Sequence, residues 1–325
     1  MKKIKNIAFQ GVGGHSLAYV GSIQYLQENN MLVDLKSVIG SSSGAIIALF
    51  VAMGMRYDEI SQFIMNNVDE MPNPLKLIGN LPSTMRRFVT KSGLDSGDDL
   101  EKKIGLILRK HTGKARITFK ELYVQTGIEL IICGTNLSKS ETTYFSHKND
   151  PKMYVKTAIR ISIAYPMLFS YVKYNGDIYT DGGTFGTLSL KHWDQRGVEV
   201  NPQTLGIMVQ SSDQDTRKEI NNIIDFNKAL FDGMLKELSE KQYQYYDAST
   251  NQWIVDKRVV QIKLDPMYQN VFDCDLIKEN YNEFISIGYD AMVDYFKSGP
   301  RRRINKTKTQ QSKTKHKPRK LCIIL

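Results

Sequence analysis

The stretch Val38-Ile39-Gly40-Ser41-Ser42-Ser43-Gly44-Ala45-Ile46-Ile47-Ala48 decides how the rest of the chain is read. A short apolar run meets a turn of tiny residues and then an apolar segment of helical length, the pattern of strand, tight turn and buried helix. Within it, Gly40-x-Ser42-x-Gly44 has the spacing of a nucleophile elbow. A hydroxyl on a sharp strand-to-helix turn stands clear of the backbone, where an acyl carbonyl can reach it. The segments on either side of such a turn run close together, so Gly40 and Gly44 supply the missing bulk. A helix starting near Ser43 aims its free N–H groups and positive dipole end at the same place, which suits a developing oxyanion. The pentapeptide also occurs as an ordinary small-residue turn of a βα unit, and taken alone it leaves both readings open.

Upstream of the elbow, Ile4 to Phe9 reads as a strand that runs into Gly11-Val12-Gly13-Gly14-His15-Ser16, then a helix from about Leu17 to Asn29. In a βαβ unit both loops emerge at the C-terminal edge of a parallel sheet, which sets the glycine loop's amides beside Ser42. A dinucleotide fingerprint needs a third glycine where Ser16 stands and an acid after the second strand, where the elbow stands instead. An oxyanion loop made of Gly11, Val12, Gly13 and Gly14 accounts for both motifs, and no cofactor is expected.

Downstream, residues 57–115 leave the strand–helix alternation. Ile60, Phe63, Ile64 and Val68 share one helix face, a proline-broken stretch runs from Met71 to Pro82, and Asp98 to Lys110 is helical again. This region is either a packed connection or a cap over the site. Thr118 and Glu121 have capping-box spacing, and Ile128 to Cys133 is a strongly apolar strand. A helix from Val155 to Ile163 stops before Tyr165-Pro166. Tyr171 to Thr180 then reads as a hairpin about Asn175-Gly176, and it delivers Asp181-Gly182-Gly183 at a strand end. An aspartate before two glycines is commonly only a turn, but here a rigid hairpin would place it. Alternation resumes with a strand from Thr204 to Val209, a helix of about thirty residues from Thr216, a strand from Val259 to Leu264 and a helix from about Asp275 to Lys297. Strands alternating with helices imply an α/β fold with a mainly parallel sheet, closed off at Ser298-Gly299-Pro300.

Composition removes several classes of function. The chain has 325 residues and a formal charge of +10, but ten Lys and Arg lie between Arg301 and Lys320, with no acid among them. Of 44 basic residues, 34 remain before Arg301, against 34 acidic ones, so the body is neutral and offers nucleic acid no basic grip. Three cysteines (Cys133, Cys274, Cys322) make no disulfide framework, and the five histidines show no metal-ligand spacing. No apolar run is long enough for a membrane span.

With these motifs in order, the chain resembles the patatin-like phospholipases from about Ile4 to Lys297. Phe9-x-Gly11-x-Gly13 is similar to that family's oxyanion loop, Gly40 to Gly44 to its elbow, and Asp181-Gly182-Gly183 to its Asp-Gly-Gly. Gly134-Thr135-Asn136-Leu137 and Ser162 to Pro166 match its linking stretches. The resemblance implies a three-layer α/β/α sandwich over residues 1–298, membrane glycerolipid as substrate, and a dyad in which Ser42 attacks and Asp181 is the base. This chain departs from the family at Val12, His15 and Ser16 of the loop and at Thr187 and Ser189 after the aspartate. These departures leave room for a catalytically weak module that acts as a tethered interaction protein, or for a protein activator such as ubiquitin, which some secreted patatin-like toxins bind.

The last residues, Cys322-Ile323-Ile324-Leu325, form a prenylation box of the geranylgeranyl type behind a polybasic run expected to be disordered over 299–325. A basic tail can also be a nuclear-localisation or nucleic-acid segment with a chance cysteine. A lipid plus a basic patch is the two-signal arrangement that stable anchoring requires. It implies a host geranylgeranyl transferase and an anionic membrane surface as partners. The place implied is the cytosolic face of eukaryotic, including host-cell, membranes.

Overall fold

In the computed structural model, which describes residues 3–67, 92–194, 200–211, 220–221, 223–265, 268 and 274–298, both apolar runs at the head of the chain are buried strands. They are β1 (Asn6–Phe9) and β2 (Ser37–Gly40), paired in parallel with Ile7 opposite Val38 and Phe9 opposite Gly40. The crossover between them is a 3-10 helix, Gly13–Leu17, continued by α1 (Ala18–Glu28). The elbow opens α2 (Ser43–Ala52), and α3 (Tyr57–Asn67) follows.

After a short β3 (Gly93–Asp95) come α4 (Asp98–Thr112) and α5 (Phe119–Thr126). The capping box of α5 is fully formed: Thr118 accepts from the Glu121 amide and Glu121 from the Thr118 amide. Then come β4 (Glu129–Asn136), β5 (Glu141–Phe145) and α6 (Val155–Ser162). They are followed by β6 (Met167–Phe169) and the hairpin β7 (Val172–Tyr174) and β8 (Asp177–Asp181). The last third holds β9 (Thr204–Ser211), α7 (Ile223–Tyr243), β10 (Gln244–Asp247), β11 (Gln252–Val255), β12 (Val259–Leu264), α8 (Cys274–Glu279) and α9 (Tyr281–Ser298).

The main sheet has the order β12-β9-β1-β2-β4-β8-β7, with β5 on the side of β4. From β12 to β4 every pairing is parallel, whereas β8 and β5 run antiparallel to β4 and β7 antiparallel to β8. Side chains alternate across a strand, so each strand feeds two cores. Ile7, Phe9, Val38, Ile132, Ile207 and Ile262 join the larger core with residues of α1, α2 and α9. Ala8, Ile39, Ile131, Cys133 and Met208 face the other way, where Leu188, Leu190 and Tyr243, the last residue of α7, cover them. Helical layers on both faces make the three-layer α/β/α sandwich. Each large apolar side chain so enclosed contributes about 1.5–3 kcal/mol.

Two local expectations are corrected. The helix expected from Asp275 is interrupted at Asn280, whose side chain and amide both donate to the Leu276 carbonyl (2.9 and 3.2 Å). The long helix ends at Tyr243, and Gln244 to Val255 turns back as a hairpin through Asn251, at φ 54. Ile60 and Ile64 of α3, and Ile104 and Leu108 of α4, are buried in the larger core. The segment Met71–Pro82, Val68 and the whole tail from residue 299 lie outside the described residues. Among the described residues, no helix is long and apolar enough to cross a membrane, and no cluster of potential metal ligands occurs.

One contact ties the ends of the domain together. Gly21 of α1 and Gly288 of α9 let the two helices touch backbone to backbone, since a Cβ at Gly21 would strike the Ile285 carbonyl and one at Gly288 the Ala18 carbonyl. Ser22 adds a hydrogen bond to the Gly288 carbonyl (3.3 Å).

Candidate active site

The parallel register brings the end of β1 beside the end of β2, and the site grows from that junction. Ser42 is the residue before α2 and has φ 53, ψ −129, a left-handed backbone that L side chains rarely adopt. Such strain persists only where the surroundings fix it. Gly40 and Gly44 show what fixes it. A Cβ on Gly44 would lie 2.5 Å from the Gln10 carbonyl oxygen and 2.6 Å from that of Phe9, and one on Gly40 would strike the Gly44 carbonyl. The Ser42 amide donates to the buried Ser162 hydroxyl (2.9 Å), and the Ser41 hydroxyl to the Gly186 carbonyl (2.8 Å). The result is a partly exposed Ser42 on a turn held from three sides.

Asp181 ends β8 opposite Gly134 of β4. Its backbone is clamped, because its amide donates to the Ala164 carbonyl (3.0 Å) and its carbonyl accepts from the Thr135 hydroxyl (2.8 Å). The residue is 2% exposed. One carboxylate oxygen, Oδ1, accepts from the Gly183 amide (2.7 Å), while Oδ2 is buried with no hydrogen-bond partner. Burial pushes the carboxyl up to about 7, and the Ser42 hydroxyl and the Gly183 amide pull in the opposite direction. Ser42 therefore acts on the Asp181 carboxyl although no hydrogen bond of ordinary geometry joins the two, a looseness common before substrate binds.

No described histidine is bonded to either residue. His147 is stacked on Tyr123 at 3.8 Å, His192 lies against Tyr144 at 4.7 Å, and His15 donates from Nε2 to the Tyr268 carbonyl. Cys133 is buried, and burial drives its thiol up to about 11, which makes it part of the core and not a nucleophile.

Residues 7–191 match the model of the patatin-like phospholipase family. The chain belongs to that family. The "probable lipid hydrolase 463L" of Invertebrate iridescent virus 6 is 27% identical over 190 residues, which are 58% of this chain and 63% of that protein. The "uncharacterized protein R571" of Acanthamoeba polyphaga mimivirus is 29% identical over 290 residues, 86% of this chain and 90% of its own length. Among solved structures, VipD from Legionella pneumophila shares the fold, with a TM-score of 0.52 and 17% identity over 91% of this chain and 67% of that one.

Against the patatin-like pattern, the glycine loop is the informative part. Gly11 must be glycine, since a Cβ there would stand 2.8 Å from the Ser42 Cβ and 2.9 Å from the Ser41 carbonyl oxygen. Gly13 has φ 56, a conformation that favours glycine. Val12, where the family carries another glycine, has φ −143, which a β-branched residue tolerates. The amides are not equivalent either. Gly11 donates to the Thr187 carbonyl (3.2 Å) and Val12 to the Ser43 hydroxyl (3.0 Å), whereas the Gly13 and Gly14 amides have no acceptor among the described residues. His15, in the family's basic position, is uncharged at neutral pH because burial lowers it to about 4. The sequence alone assigns Ser162, Thr135 and Ser43 no role in the site. Thr135 and Ser162 left a sign, since each lies in a linking stretch that matches the family.

Proposed function

We propose that this chain is a serine-dependent lipid acyl hydrolase of the phospholipase A or lysophospholipase type, with Ser42 as nucleophile and Asp181 as general base. The observation that carries the reading is the unpartnered Asp181 Oδ2, buried beside a hydroxyl on a strained turn. In the acylation step the Ser42 proton passes to ionised Asp181 while Oγ bonds to the ester carbonyl carbon. The carbonyl oxygen becomes an oxyanion, met by the Gly13 and Gly14 amides and by the N-terminal end of α2. Collapse breaks the ester C–O bond, and the proton on Asp181 goes to the leaving alcohol. Water then attacks the acyl-serine with Asp181 again as base, which releases a fatty acid and restores Ser42. Membrane glycerolipids are the substrate class the family membership favours.

Anchoring through Cys322 and the ten basic residues before it belongs to the same proposal. The lipid chain gives reversible attachment and the basic run adds attraction to an anionic leaflet, about 1 kcal/mol per residue near the surface. A host geranylgeranyl transferase would attach the lipid on the cytosolic side, and a host protein activator such as ubiquitin would be met there. Cys322→Ser should release the protein from membranes of eukaryotic cells and leave hydrolysis of a soluble ester unchanged. Retention on membranes would sink the anchoring part alone.

The test of the chemistry is labelling with a fluorophosphonate probe beside a lipid hydrolysis assay. Wild type should be labelled at Ser42 and release fatty acid from mixed vesicles, and folded Ser42→Ala should do neither. A wild type that hydrolyses no lipid, even with cytosolic extract added, would favour the tethered interaction protein instead.

A further inference from the structure

The residue after the proposed nucleophile does something its position does not require. A serine in the first turn of a helix usually bonds within that turn. Ser43 instead offers its hydroxyl to an amide 31 residues earlier, accepting from Val12 at 3.0 Å. The glycine loop is thereby tied at three points on different sides. Gly11 is bound to the Thr187 carbonyl, Val12 to Ser43, and His15, through its ring, to the Tyr268 carbonyl. Between the second and third ties the backbone turns at Gly13 with φ 56, and the two amides left without an acceptor, Gly13 and Gly14, open the 3-10 helix.

An N–H group serves one acceptor well, so a Val12 amide held by Ser43 is withdrawn from any other partner. We infer that Ser43 is a positioning residue: by holding the Val12 amide it pins the glycine loop to the elbow, so that the Gly13 and Gly14 amides are the pair presented to the oxyanion. This rests on the hydrolase reading above. The physical need is clear from the two glycines that follow. Gly13 and Gly14 have more backbone freedom than any other residue type, and donors that wander pay for their own ordering when charge develops. Ser43 is only partly buried, so removing its hydroxyl opens no hole in the core. The link also joins the loop to the same helix whose first residue follows Ser42, and nucleophile and donors move as one piece.

The experiment compares the full chain with Ser43→Ala, Ser43→Gly, Ser43→Thr and Ser42→Ala. Hydrogen exchange of the Val12 amide should quicken by about tenfold or more in the alanine and glycine variants and stay unchanged in the other two. On a soluble short-chain ester, Ser43→Ala should lower kcat by about 10–100-fold, the scale of a displaced oxyanion donor. Its KM should stay within about twofold, and Ser43→Thr, which keeps the acceptor, should recover most of the rate. Equal Val12 exchange in wild type and Ser43→Ala overturns the inference, as does faster exchange with unchanged kcat. Hydrolysis surviving in Ser42→Ala would instead defeat the hydrolase reading, and the exchange comparison would still judge the tie.

Discussion

The two side chains of the proposed dyad reach the site by opposite routes. Ser42 follows β2, inside the parallel part of the sheet, where β1 and β2 are buried along their whole length. Asp181 arrives on β8, antiparallel to β4, from a hairpin whose outer strand β7 is half covered. Backbone packing places the first, since Gly11, Gly40 and Gly44 leave no room for a side chain. Burial tunes the second, since Asp181 has one hydrogen bond to its carboxylate where it could take several. The comparison separates two tasks that one site must perform: fixing where an oxygen sits and fixing how tightly a proton is held.

Removing the proposed base should have the largest effect and two opposite consequences. Asp181→Asn should cut hydrolysis by about a thousandfold or more, in line with loss of a general base that activates a nucleophile. It should also raise stability at neutral and alkaline pH. The wild-type carboxyl is pushed from 3.8 up to about 7 by folding, so the native state binds the proton more tightly than the unfolded chain does. That contribution is complete below about pH 4 and is lost as pH rises toward and past 7, on the order of a few kcal/mol in all. The Tm advantage of Asp181→Asn should therefore widen from pH 5 to pH 8. In wild type, kcat/KM should climb through about pH 7 and level off above it. A flat profile from pH 5 to pH 9 would mean that Asp181 is not the titrating base.

A pair of alanine substitutions sharpens the contrast. Gly11→Ala forces a methyl against Ser42 and should lower kcat/KM by about a hundredfold without moving the pH profile, because misplaced reacting atoms cost about that much. Gly183→Ala sets its Cβ 3.0 Å from Asp181 Oδ1. It should weaken the one bond that favours the ionised carboxylate and move the profile to higher pH, with a smaller loss of rate. Identical behaviour in the two variants would collapse the distinction between placing and tuning.

The smallest effect is expected at the histidines. His192 lies against Tyr144 and His147 on Tyr123, neither hydrogen-bonded to Asp181, and alanine at either should keep activity within about threefold. A thousandfold loss at His192 with the fold intact would replace the dyad by a triad.

The features legible in the sequence are those set by local spacing. The elbow could be read because a strained Ser42 demands small residues two positions away on both sides, and the arm because Asn175-Gly176 announces its turn. Thr118 and Glu121 announced α5 in the same way. β3, β6 and β10 were not legible, because strands of three or four residues without sustained alternation carry no periodic signal. The supports of the site were hidden for a different reason. Ser162 meets the Ser42 amide across 120 positions and His15 meets Tyr268 across 253, and no local pattern marks such partners.

That last separation has a consequence in time. Within the domain the glycine loop is made about 250 residues before Tyr268 and the α9 face carrying Phe284 and Gly288. At about 5–20 residues per second, a ribosome takes some tens of seconds to get from one to the other. Until then the loop beside Ser42 lacks its rear support, and α1 lacks the helix it packs against. A nascent chain that already carries elbow, loop and aspartate still lacks these supports, and the proposed site is complete only once α9 has packed.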